Sequence, residues 1–104
     1  MATLSFRGSA AVAGIGETTY YKRGESPHAE FKLALQAIMK ACEDSGIKPH
    51  EIDGFSSFSN DRNDPSQLAA ALGCKELRYA CMQWGGGGGG GSGAIANAAS
   101  AIAT

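Results

Sequence analysis

Seven consecutive glycines, Gly85, Gly86, Gly87, Gly88, Gly89, Gly90 and Gly91, run into Ser92-Gly93 and then into an alanine-rich segment that continues to Thr104. No other feature constrains the fold as strongly. Without Cβ atoms the backbone can approach a ligand or another chain closely. A helix beginning there also offers N–H groups that have no partner inside the helix and can meet an anion or a developing oxyanion. The alternative is a flexible low-complexity linker. The flanks argue against it: Tyr79-Ala80-Cys81-Met82-Gln83-Trp84 before and Ala94 to Ile102 after both read as buried elements, and linkers rarely join such elements so abruptly.

Upstream, Ala10 to Gly16 is a short apolar run ending in glycine, the pattern of a strand buried on both faces before a tight turn. Ser26-Pro27 suits a helix start, with serine as N-cap and proline at the first position. Phe31, Leu35, Ile38 and Cys42 then recur at helical spacing, and Gly46 followed by Pro49 closes the helix. Ile52 to Phe58 predicts a second strand, and Pro65-Ser66 opens a shorter helix through Leu68 and Leu72 that ends at Gly73. Leu77 to Trp84 predicts a third strand. Alternation of this kind predicts βαβ units with a parallel sheet. In the last helix only Ile95 and Ile102 are bulky among many alanines, so it needs close neighbours on most sides. Three strands and three helices leave the sheet incomplete and one apolar face uncovered. The expectation is that the chain is the N-terminal piece of a longer protein or depends on further chain to complete its core.

Composition and motifs exclude several function classes. With a formal net charge of −1 and no lysine–arginine cluster, phosphate-driven nucleic-acid binding is not expected. No apolar stretch is long enough to span a membrane, and the N-terminus lacks the pattern of a secretory signal, so the expected location is cytoplasmic. Cys42, Cys74 and Cys81 form no CxxC pair, and neither a metal site nor a disulfide framework is expected. Gly14-Ile15-Gly16 invites a dinucleotide-binding reading, but the third glycine of that fingerprint falls on Thr19 and no helix opens there. A P-loop fails because no Gly-Lys-Ser/Thr follows the glycine run. His28, in the first turn of the predicted helix, and His50, in a proline-bounded turn, have no nucleophile at a recognisable spacing. Glu17, Glu51, Asp61 and Asp64 read as solvated loop residues. None of the cysteines stands at a helix N-terminus, where a thiolate is favoured. Among Tyr20, Tyr21, Tyr79 and Trp84, Trp84 is kept as a site candidate because it borders the glycines.

The order Ala11-Val12-Ala13-Gly14-Ile15-Gly16-Glu17-Thr18, then Gly46-Ile47-Lys48-Pro49-His50-Glu51-Ile52-Asp53-Gly54, then a glycine-rich entry to an alanine-rich helix, resembles the N-terminal part of thiolase-superfamily proteins. It is nearest the sterol-carrier or lipid-transfer thiolase-like branch. The resemblance covers nearly the whole chain and implies an α/β fold: the N-terminal part of a thiolase-like layered architecture with three strands, three helices and an incomplete sheet. In thiolases the nucleophilic cysteine stands at the start of the last helix; here every alignment places glycine there, between Gly88 and Gly90. Covalent thiolysis is then not available at that position. The branch lacking this cysteine resembles steroid side-chain aldolases, which cleave β-hydroxyacyl-CoA by a retro-aldol reaction.

From that resemblance follow an acyl-CoA substrate, no cofactor beyond the coenzyme A of the substrate, a homodimer, and a partner protein of zinc-ribbon and OB-fold type. Trp84, Gly85 to Gly91 and Ser92 are then the expected substrate-binding residues, with the catalytic base beyond Thr104. Two other readings stay open. One is an acetyl-CoA acyltransferase of thiolase or lipid-transfer type whose nucleophile comes from elsewhere, with Cys81 a candidate. The other is a catalytically silent subunit that binds acyl-CoA or completes a dimer.

Overall fold

A computed structural model describes residues 7–59, 61–84 and 89–104. In chain order the elements are α1 (Glu30–Ser45), a 3-10 turn (Pro49–Glu51), β1 (Gly54–Phe58), α2 (Pro65–Leu72), β2 (Tyr79–Gln83) and α3 (Gly90–Ala103). The chain divides into two units. One comprises Met1–Val12, Gly54–Asp61 and Arg78–Thr104; the other comprises Ala13–Asp53 and Arg62–Leu77.

In the first unit β1 and β2 pair in parallel, with Gly54 opposite Tyr79, Ser56 opposite Cys81 and Phe58 opposite Gln83. Side chains alternate across a strand, so Ser56, Phe58, Tyr79, Cys81 and Gln83 share one face. Helix α3 packs on this face. Ala94 is buried there. The opposite face carries Phe55, Ala80 and Met82, and the last two are exposed. The two strands begin two residues later than the sequence predicts, at Gly54 and Tyr79.

The second unit holds α1, the 3-10 turn and α2 against one another, with Cys42, Leu68 and Ala69 as its buried residues. Gly46 and Gly73 close their helices in the left-handed conformation, at φ 78° and 72°, the geometry that glycine adopts without a Cβ penalty. Helix α2 is capped by Asp64, whose carboxylate accepts the Ser66 N–H at 2.8 Å. Asp64 is exposed, as expected of a solvated residue, but it is also a cap. Asp64→Ala should cost about 1 kcal/mol of stability, measured as a lower urea midpoint with an unchanged slope.

Two expectations are corrected here. Helix α1 starts at Glu30, with Ala29 as its extended N-cap, and not at Pro27. The Ser26 hydroxyl accepts the His28 N–H at 3.1 Å and donates to the His28 carbonyl at 2.9 Å. It thereby closes a local turn instead of capping the helix, and His28 precedes α1 rather than lying in its first turn. Residues 10–16 form no strand, so among the described residues the sheet has two strands, not three.

Val12 and Ile15 stand 75% and 76% exposed. The Ile15 N–H is taken up by Asp44 of α1, donating to Oδ2 at 2.9 Å, so this backbone is tied to a helix and not to a ladder. The Gly14-Ile15-Gly16 motif has its physical reason in that contact. A Cβ on Gly14 would lie 2.7 Å from the Ala41 carbonyl oxygen, and one on Gly16 would collide with the backbone of Ala37 and Ala41. These glycines let the segment lie against α1.

No helix among the described residues is long and apolar enough to cross a membrane, and no group of three or more metal-ligating side chains occurs among them.

Candidate functional site at the start of the last helix

Strand β2 ends at Gln83, and Trp84 follows, 69% exposed. The expectation of a buried flank is therefore corrected for Trp84, as it is for Ile95 and Ile102, which are 65% and 64% exposed on α3. Gly85 to Gly88 lie outside the described residues. Gly89 is the N-cap of α3, Gly90 is its first residue and is buried, Gly91 is half-buried, and Ser92 is exposed. Three of the seven glycines thus belong to a helix or its cap, which a linker would not show.

The first turn of α3 carries neither an acidic nor a basic residue, and no side chain caps it. The N–H groups at this end, including those of Gly90 and Gly91, therefore have no partner within the helix. The helix dipole makes this end favourable for negative charge.

What holds the helix start in place is a polar cluster that the sequence reading passed over. Ser56 Oγ donates to the Ala94 carbonyl at 2.7 Å, tying the second turn of α3 to the middle of β1. Asn97 Nδ2 lies 3.3 Å from Gln83 Oε1 and 3.6 Å from Cys81 Sγ, donating to both. A Cβ on Gly93 would come within 3.1 Å of Gln83 Cγ, so the missing side chain at 93 makes room for Gln83. At Gly91 the same test finds the Phe58 ring at 3.7 Å, an ordinary contact.

A period-two run of Tyr79, Cys81 and Gln83 on one strand face was the available signal. Its partner Asn97 is 14 residues away from Gln83, across the glycine run, and no local pattern connects them.

Of the other candidates, Cys81 belongs to this cluster, and Cys42, Cys74 and His50 belong to the second unit. Cys42 is buried in α1, and Cys74 donates to the Pro49 carbonyl at 3.6 Å. Burial pushes the Cys74 thiol above its ordinary range, which keeps it protonated and poorly nucleophilic at neutral pH. Cys81 is half-buried beneath α3. The Tyr79 phenol is raised above its ordinary range, by hydrogen bonding to Cys81 ahead of desolvation. His50 is exposed and Asp61 half-buried. The Tyr20 hydroxyl donates to the Glu17 carboxylate, and Glu51 accepts the Lys48 N–H at 3.2 Å.

No family model matches the chain. It is 36% identical over 98 residues to the 17-hydroxy-3-oxo-4-pregnene-20-carboxyl-CoA lyase of Mycobacterium tuberculosis, a match covering 93% of this chain and 24% of that protein. It is 37% identical over 98 residues to the steroid side-chain-cleaving aldolase of Thermomonospora curvata, with the same coverage. A solved structure described as an Ltp2-ChsH2(DUF35) aldolase superimposes with a TM-score of 0.80 at 34% identity, over 89% of this chain and 24% of that one. The chain thus spans about a quarter of the length of the curated relatives it matches.

Proposed function

We propose that residues 1–104 form the N-terminal part of a thiolase-like acyl-CoA carbon–carbon lyase that cleaves a β-hydroxyacyl-CoA by a retro-aldol reaction. The observation that carries this reading is Gly90, buried at the first position of α3. Where the resemblance puts the thiolase nucleophile, between Gly88 and Gly90, the sequence has no side chain, while the backbone donors of a helix start remain. The likeness to two relatives named as a lyase and an aldolase supports it, and their names make a steroid side chain the preferred substrate class.

In this reading a base outside residues 1–104 removes the hydroxyl proton of the substrate. The O–H electron pair forms the new carbonyl, the Cα–Cβ bond breaks, and its electrons pass to the thioester as an enolate. N–H groups at the start of α3 stabilise the enolate oxygen. Protonation at carbon releases a shortened acyl-CoA beside a ketone or aldehyde. Trp84, Gly85 to Gly91 and Ser92 are the substrate-binding residues in this reading. The protein acts as a dimer, assisted by a zinc-ribbon and OB-fold partner.

Product analysis tests the proposal. The complete protein with its partner, given a 17-hydroxysteroid bearing the β-hydroxyacyl-CoA side chain, is expected to release the 17-ketone and the shortened acyl-CoA in equal amounts. Binding of the thioester with no release of ketone would instead identify a silent subunit.

Cys81→Ala separates the lyase from the acyltransferase. The lyase should keep turnover within about threefold, whereas loss of a covalent nucleophile removes several powers of ten. The Asn97 amide on Cys81 Sγ already fits a packing role for this thiol.

A further inference from the structure

Gln83 meets the glycine run at both of its ends. Its backbone precedes Trp84 and Gly85, and its carbonyl accepts the Ser59 N–H at 2.8 Å, which ties the end of β2 to the residue that follows β1. Its side chain lies against Gly93, in the first turn of α3, where a Cβ would stand 3.1 Å from Gln83 Cγ and 3.3 Å from Cδ. Asn97, one turn further along the same helix face, donates to Gln83 Oε1 at 3.3 Å. Gln83, Gly93 and Asn97 are each half-buried, and with Ser59 they all belong to the first unit.

This arrangement is more specific than packing requires. An apolar side chain would fill the space beside Gly93, whereas an amide pair is directional, and removing either amide leaves the other without a partner in a half-buried place. Glycine loses more backbone freedom on folding than any other residue. A helix start entered through such a run therefore takes its orientation from whatever fixes the run's two ends. Donors that stabilise a developing charge must hold their direction before the reaction begins.

We infer that Gln83 is a positioning residue: a clasp, oriented by Asn97, that holds the two ends of the glycine run against each other and fixes the direction of the N–H groups at the start of α3. The inference rests on the lyase reading above and adds to it a residue that acts through the helix. Gly93 belongs to the same device, because its missing side chain leaves the space that Gln83 fills.

Steady-state kinetics of Gln83→Leu and Asn97→Leu, made in the complete protein with its partner, test the clasp. Each removes one side of the amide pair at nearly constant volume. Each should lower kcat for ketone release about tenfold, the effect of one hydrogen bond, with KM within about twofold. The double variant should lose no more than the larger single loss, since the same contact is removed in all three. Independently of turnover, hydrogen exchange at the Ala94 to Asn97 amides should quicken about tenfold in both single variants. Gly93→Ala covers the case in which the leucine variants fold poorly. It removes no polar group and displaces Gln83, so it should lower kcat in the native background and have no further effect beside Gln83→Ala. Leu68→Ala, which weakens the other unit, separates positioning from lost stability: its kcat per folded molecule should match that of the unaltered protein.

Native kcat with native exchange in Gln83→Leu and Asn97→Leu overturns the clasp and leaves the lyase standing. Faster exchange with native kcat also overturns the positioning role, because the contact then serves stability alone. If the unaltered protein releases no ketone, the lyase reading fails, and the clasp stands or falls on hydrogen exchange: quicker exchange in both variants keeps it, and unchanged exchange overturns it.

Discussion

Gly16→Val should destabilise the chain by about 3 kcal/mol, at the upper end of what inserting a side chain into a packed contact costs. The obstacle decides the size of the effect. The atoms that a Cβ at this position meets are the Ala41 nitrogen, the Ala37 oxygen and the Lys40 carbonyl carbon, all α1 backbone. A clash with a flexible side-chain tip is relieved by a rotamer change, whereas a clash with helix backbone requires the segment to lift off α1. Lifting would also break the hydrogen bond from Ile15 N–H to Asp44. Gly91→Ala is the matched control, because its Cβ would meet only the Phe58 ring at 3.7 Å. There the helix gains up to about 1 kcal/mol from replacing glycine. Urea melts of both variants check the contrast, and equal midpoints would contradict it.

Leu68→Ala should cost about 3 kcal/mol through lost burial and the cavity left behind. Leu68 is 5% exposed in a unit whose buried side chains are few, so little neighbouring material is available to collapse into the space. Ala71, exposed on the same helix, provides the comparison: Ala71→Ser should change the stability by no more than about 0.5 kcal/mol. A loss below 1 kcal/mol at Leu68 would show that α2 is not anchored through this residue.

Several parts of the fold were legible because their signals are local. Gly46 and Gly73 end helices through a left-handed residue, and Pro65 opens one; each signal resides in a single residue type at a helix boundary. The apolar spacing of Phe31, Leu35, Ile38 and Cys42 marked α1 because a helix repeats its buried face within one turn. Residues 10–16 illustrate the opposite case. An apolar run does not state whether a strand will accept its hydrogen bonds, and here the Ile15 N–H goes to a side chain 29 residues away. The two glycines of that run look like a ligand-binding turn when read alone and prove to be a contact with α1.

The candidate site was legible in outline only. A glycine run before a helix pointed to the α3 start, and Gly90 does open that helix. The residues that hold it, Ser56, Gln83 and Asn97, belong to three elements, and their polar character becomes informative only once α3 is docked on the sheet. Trp84 was expected to be buried as the last residue of an apolar strand, yet the strand ends at Gln83 and alternation places Trp84 on the side of exposed Met82.

The account rests on carbon–carbon cleavage without an acyl-enzyme, and the mass of the protein during turnover tests this most directly. The complete protein, quenched while it converts a β-hydroxyacyl-CoA to ketone and measured intact by mass spectrometry, should carry no added acyl group at any time point. An acyl adduct that appears and decays with turnover, and maps to Cys81, would contradict the account and establish the acyltransferase in its place.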